Sequence, residues 1–164
     1  MPEEIERKFL VEGTAWRTSE GTAITQGYLN RDKNRTVRVR IEGARAMLTV
    51  KGLTVGASRP EFEYPIPLED ARVLMAMCDG PVVEKIRRTV VCYDGRWEID
   101  EFLGANAGLV VAEIELDSEG QAFSRPSWLG REVTHDPRYF NSSLATNPFT
   151  SWPGNAPAAR QRKA

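Results

Sequence analysis

Glu4, Glu6 and Lys8 stand at alternate positions near the start of the chain, in the stretch Glu4-Ile5-Glu6-Arg7-Lys8. On a β-strand such residues point to one face, roughly 7 Å apart along the chain. Two carboxylates at that spacing disfavour each other's charge unless a cation sits between them. A divalent metal is such a cation, and hard ions such as Mg²⁺ take carboxylate oxygen. Taken alone, the stretch reads more simply as an edge strand with a solvated charged face. The pattern recurs, however. Arg38 with Arg40, Lys51, Arg59 with Glu61 and Glu63, Lys85 with Arg87, Glu98 with Asp100, and Glu113 with Glu115 all keep charge on one face and apolar residues on the other.

Strands must carry these side chains. The alternation predicts them over residues 3–11, 23–30, 35–42, 46–53, 59–66, 82–93, 96–102 and 109–117. Arg31-Asp32-Lys33-Asn34 and Asp94-Gly95 read as hairpin tips. Between the fifth and sixth strands the period changes. Leu68 to Asp79 fits a helix with one apolar side, stopped by Gly80-Pro81, and is expected to cover the apolar side of the sheet. Residues 124–130 read as a short helical turn. Residues 136–147 read as one helix, with Asp136 as N-cap and Pro137 at the first helical position. Residues 152–164 read as a loose tail.

Eight strands joined by short turns suit an antiparallel meander. A solvated sheet face normally mixes Thr, Ser, Gln and Lys, whereas this one is dominated by Glu, Arg and Lys. Closing the sheet into a barrel removes its edges and turns the charged face into a hydrated lumen. The apolar face then points outward and needs helices as cover. So many enclosed charges demand water, counter-charges, metal and a polyanionic ligand. The expected fold is therefore mainly β (α+β): an eight-stranded antiparallel closed barrel with a charged lumen.

The 164 residues fit one domain with a sizeable core. A net charge of −1 argues against a broad basic surface for duplex nucleic acid. No apolar run approaches a membrane span, and no signal peptide opens the sequence, so a cytoplasmic location is expected. Cys78 and Cys92 read as reduced thiols, and His135, the single histidine, as a surface-loop residue. Histidine-based nucleophile activation and multi-histidine metal sites are nearly excluded.

The opening Glu4-x-Glu6-x-Lys8 resembles the ExExK signature of CYTH-domain proteins, the triphosphate tunnel metalloenzymes. The later pairs agree with that family in type and order, over roughly residues 3–150. The resemblance implies an eight-stranded tunnel acting on triphosphates with Mg²⁺ or Mn²⁺. It implies one such domain over 1–150, followed by the tail at 151–164. The opening "EIERKFLV" is most similar to short bacterial-type inorganic triphosphatases. By position, Glu4, Glu6 and Glu115 would hold metal, with Glu113 close by. Lys8, Arg38, Arg40, Lys51, Arg59, Lys85 and Arg87 would hold phosphate oxygens, arginine as a fork and lysine as a point charge. Glu4, Glu6, Lys8, Lys85 and Arg87 are the candidate catalytic set. Glu61, Glu63, Glu98 and Asp100 would orient the cations or support a second metal. Asp136 to Asn141 resembles the helix that plugs one tunnel mouth. Where relatives carry a lysine this chain has Phe140, and Arg138 is the candidate substitute.

The mechanism expected is in-line water attack on the terminal phosphorus of tripolyphosphate, without a covalent intermediate. Class IV-type adenylate cyclase, thiamine triphosphatase and a non-catalytic polyphosphate- or nucleotide-binding module remain alternatives. The partner is a small-molecule triphosphate, with no duplex and no membrane, and a homodimer is compatible with the sequence.

Overall fold

The computed structural model describes residues 3–17, 20–93 and 95–155. Eight strands form the barrel: β1 (Glu3–Val11), β2 (Thr22–Asn30), β3 (Arg35–Glu42), β4 (Arg45–Gly52), β5 (Ser58–Pro65), β6 (Val83–Cys92), β7 (Gly95–Phe102) and β8 (Val110–Glu115). Their order around the sheet is β5-β4-β3-β2-β6-β7-β8-β1, all pairs antiparallel, and β1 pairs back onto β5. The connectivity is thus two meanders, β2 to β5 and β6 to β8, rather than one. Helix α1 (Leu68–Ala76) makes the crossing between them. β1 fits between the last strand of each meander. Its closure onto β5 has only three residue pairs, Glu3 with Pro60, Glu4 with Arg59 and Ile5 with Ser58.

The alternation along each strand puts apolar side chains outside. Three clusters cover them. α1 lays Ala71, Leu74 and Met75 on Val39, Ile41 and Leu48. Gly27 lets the helix end approach β2, since a Cβ there would meet Cys78 Sγ at 2.8 Å. Over β1, β7 and β8, Phe9, Trp97, Phe123 and Trp128 meet edge to face at 5.6–5.9 Å. Each such pair adds about 0.5–1.5 kcal/mol beyond the area it buries. Arg7 belongs to this outer face: its guanidinium lies 5.0 Å from the Phe123 ring centre and is held by Glu132 at 2.6 and 2.8 Å. The third cluster packs Val83, Phe102, Leu109, Val111 and Val133 against Tyr139, Leu144 and Trp152.

Several expectations need correction. Residues 124–130 hold one hydrogen-bonded turn, Leu129 N–H donating to Pro126 O at 3.1 Å, but no helix. The chain there leads into a ninth strand, β9 (Leu129–Glu132), paired with Phe9 and Val11 of β1 beyond the point where β5 leaves it. Four residues including Gly130 carry no readable alternation; an open edge of β1 makes them a strand. The predicted helix 136–147 is broken. Asp136 does accept from the Arg138 amide at 3.1 Å, capping a 3₁₀ turn at Pro137–Tyr139, but Phe140 is extended (φ −68°, ψ 135°) and helix α2 is Asn141–Thr146. The break sends Tyr139 into the outer cluster and lets Phe140, Asn141 and Ser142 line the lumen. Nor is residue 152 part of a loose tail, since Trp152 is buried against Tyr139 and Phe149; residues 156–164 lie outside the described residues, as does Asp94 of the predicted turn. Among the described residues no helix is long and apolar enough to cross a membrane. Cys78 and Cys92 are free thiols, and His135 is exposed.

Candidate active site in the barrel lumen

The alternating strands bring their charges into one cavity of about 430 Å³. Glu4, Glu6 and Lys8 of β1 line it, with Arg38 and Arg40 of β3, Lys51 of β4, Arg59, Glu61 and Glu63 of β5, Lys85 and Arg87 of β6, Glu98 of β7, and Glu113 and Glu115 of β8. Asp100 lies behind this lining, 1% exposed, bound to two of the cations. Arg138 stands apart from the cavity lining. It is exposed, pairs with Asp136 at 2.8 Å and stacks on Trp152.

The charges are arranged in local sets. Arg87 forks onto Asp100 at 2.7 and 2.9 Å and reaches Glu113 at 3.3 Å and Glu98 at 3.4 Å. Lys85, with its side chain fully enclosed, sits 2.8 Å from Asp100. Burial pushes its ammonium down to about 7, against the pull of Asp100 and with the help of Arg87 and Arg40. Asp100, despite its burial, is held down at about 2 by Lys85 and Arg87. Lys8 pairs with Glu113 at 3.6 Å, and Lys51 with Glu4 at 3.0 Å and Glu61 at 3.3 Å.

The arginines of β3 are less fully matched. Arg38 meets Glu63 at 3.6 Å and donates to Thr49 Oγ1 at 3.2 Å, yet its buried Nε has no acceptor. The buried Nε of Arg59 likewise lacks a hydrogen-bond acceptor, its carboxylate partner Glu4 lying 3.8 Å away. Arg40 forms no salt bridge among the described residues; its Nε donates to Gln26 Oε1 at 3.1 Å. Burial, then the charges of Arg38 and Arg87, push Arg40 down to about 10. Enclosed cations with spare donors are a site for an anion.

Acid is concentrated elsewhere in the lumen. Glu6 lies opposite Glu115 in register, and Glu113 opposite Lys8. Burial, then the charges of Glu113 and Glu4, raise Glu6 well above the usual carboxylate range. Burial also raises Glu4 and Glu115. Burial works the same way on Glu113, but Lys8 and Arg87 outweigh it and hold that carboxyl well below its ordinary range. Four carboxylates on adjacent strands are the right donors for a hard divalent ion, and after burial the like charges of neighbouring carboxylates add to the raised values of Glu4, Glu6 and Glu115. Among the described residues no three of them converge on one point; Glu4 is turned to Lys51 and Glu113 to Lys8 and Arg87.

Residues 2–146 match the CYTH domain. The chain belongs to the CYTH domain family. An inorganic triphosphatase of Acetivibrio thermocellus is 48% identical over 154 residues, covering 93% of this chain and 99% of that relative. An inorganic triphosphatase of Nitrosomonas europaea is 38% identical over 146 residues, covering 87% and 96%. A crystal structure of an inorganic triphosphatase superposes on this CYTH domain with a TM-score of 0.62 and 35% identity, covering 86% of this chain and 96% of that one. The CYTH barrel also places uncharged residues in the lumen that charge alternation passes over. Tyr28 is in phase with Gln26 on β2, and its cavity position was open to the same period-two reading. Phe140, Asn141 and Ser142 gave no such signal, because their place depends on the break before α2.

Proposed function

We propose that this protein hydrolyses inorganic triphosphate to pyrophosphate and phosphate inside the barrel, with Mg²⁺ or Mn²⁺ held by Glu4, Glu6, Glu113 and Glu115. The observation that carries the reading is the enclosed, under-matched basic set. Arg40 has no carboxylate partner among the described residues, and the buried Nε atoms of Arg38 and Arg59 lack acceptors. A linear polyphosphate supplies those acceptors along its length. Both curated relatives are named for this activity and match nearly end to end.

In this reading Arg38, Arg40, Lys51, Arg59 and Lys8 grip the chain of phosphates, and Lys85 and Arg87 meet the charge that develops as the terminal phosphoryl group leaves. Asp100 keeps those last two in place through the ion pairs described above. Glu61 and Glu63 hold Lys51 and Arg38. Preorganised charge of this kind is the main source of rate in phosphoryl transfer. The metal, when bound, neutralises phosphate oxygens and favours in-line attack by water. The protein works as one domain over residues 1–150, onto which Trp152 packs from just beyond, and in the cytoplasm, in keeping with its two free thiols.

The test is a panel of tripolyphosphate, ATP, thiamine triphosphate and pyrophosphate with Mg²⁺ and with Mn²⁺, assaying phosphate and cyclic AMP separately. Phosphate release greatest from tripolyphosphate is expected. Cyclic AMP from ATP, or no turnover of any triphosphate, would sink the reading.

A further inference from the structure

Asn141 is the first residue of α2, and its side-chain oxygen accepts two hydrogen bonds across the lumen. Gln26 Nε2 donates to it at 3.0 Å, and Lys85 Nζ donates to it at 3.0 Å. Gln26 is itself 0% exposed, and its Oε1 accepts from Arg40 Nε at 3.1 Å. Arg40, Gln26, Asn141 and Lys85 therefore form one continuous chain of hydrogen bonds. While Lys85 carries its proton the polarity is forced, because guanidinium and ammonium groups donate and never accept. Turning over either amide would set a donor against a donor.

We propose that the Gln26–Asn141 amide bridge positions Arg40 and Lys85 as one rigid cationic pair for the triphosphate, making Gln26 and Asn141 positioning residues. The inference rests on the triphosphatase reading above. The chemistry explains the choice of amides. A carboxylate in either place would hold the cations but cancel charge the substrate needs. An amide fixes geometry and leaves the charge intact. Lys85 has three donors; Asp100 and Asn141 take two, so the third is aimed by the pair. Asn141 reaches this place only because the chain breaks at Phe140, so this segment, which lines the lumen, also sets its electrostatics.

The experiment compares wild type, Asn141→Ala, Gln26→Met and the double variant on tripolyphosphate, with melting temperatures as the folding control. Each single change is expected to lower kcat about tenfold or more while KM moves less than about threefold, since misplacement by about 1 Å can cost 10²-fold. The double variant is expected to lie within about twofold of the weaker single, as residues acting through one bridge do not add. A kcat within about twofold of wild type in either single variant, or defects that multiply in the double, overturns the bridge. Gln26→Met reaches the same bridge from β2 if Asn141→Ala does not fold. Exchange of the Lys85 ammonium protons with water, followed by NMR on ¹⁵N-lysine protein in mildly acidic solution, gives a readout that needs no turnover. Faster exchange in the variants supports the bridge and equal exchange overturns it. An inactive wild type with faster exchange in the variants would overturn the functional reading alone.

Discussion

Arg38 and Arg40 reach the lumen from one face of β3, and their excess of donors over acids sets what the site can do. Arg38→Ala removes a preorganised contact whose loss is typically worth about 10²–10³ in rate. We expect kcat/KM for tripolyphosphate to fall by that order while the melting temperature holds. Arg38→Lys is expected to recover only part, because an ammonium cannot reproduce the fork. Wild-type kinetics in Arg38→Ala would put the phosphate elsewhere. Glu6 is the acidic counterpart. Its carboxyl is raised by burial and by Glu113 and Glu4, so its protonated form is the one the fold favours. That contribution is complete below the ordinary carboxylate range and is lost as pH climbs through the raised value. Gln keeps the neutral form at every pH. Metal-free Glu6→Gln is therefore expected to melt no lower than wild type at neutral pH, to gain less on adding Mn²⁺, and to lose most turnover. Melting curves with and without Mn²⁺ decide this; equal gains in the two proteins remove Glu6 from the metal site. Such charged residues were readable from their spacing alone. The face of Gln26 was open to the same alternation as Tyr28, but its contact with Asn141 was not, because it spans 115 residues of sequence and neither residue carries a charge to mark it.

Among the strands, β9 is the shortest, and a side-chain clasp helps to hold it. Glu132 takes the Arg7 guanidinium and accepts from Thr134 Oγ1 at 2.6 Å, tying β9 to β1 on the outer face. The Arg7 hydrogen bonds, chiefly, and that of Thr134 hold the Glu132 carboxyl down at about 2, against an ordinary 4.5. A depressed carboxylate contributes stability that is present above its unfolded value and is lost as pH falls toward its folded one. Glu132→Gln is thus expected to be less stable than wild type at neutral pH, by under about 1 kcal/mol for so exposed a pair. The difference should close between pH 4.5 and about 2. Denaturant melts across that range check it, and a difference that persists at the acid end counts against the clasp. The long strands were legible because seven or more residues of alternation distinguish the two faces. β9 was not, because four residues at another strand's edge have no pattern of their own. The break at Phe140 was hidden for a related reason: capping residues and Pro137 announce a helix start without saying that it stops after one turn.

At the scale of the molecule, the fold is a barrel whose walls are mostly long ladders and whose last join is short. β6 and β7 share eight register pairs, β3 and β4 also eight, but β1 and β5 share three. The side chains at that short join belong to the proposed phosphate grip: Glu4 pairs with Arg59 in register, and Lys51 reaches across to Glu4. Opening the β1–β5 join would cost little backbone bonding and would disassemble the grip on phosphate at the same stroke. On the proposed reading the seam would act as a zip fastened by what it encloses. Hydrogen exchange makes this visible: the Arg59 amide, at the β1–β5 register, and the Glu6 amide, which donates to Ala57 O at 3.2 Å across the join, are expected to exchange fastest among the barrel strands, and to slow when tripolyphosphate is added without divalent metal. If ligand protects the β6–β7 ladder and leaves these two amides unchanged, the zip is refuted. If it holds, the enzyme's substrate is also its last structural staple, and starvation for triphosphate would leave a population of barrels standing ajar.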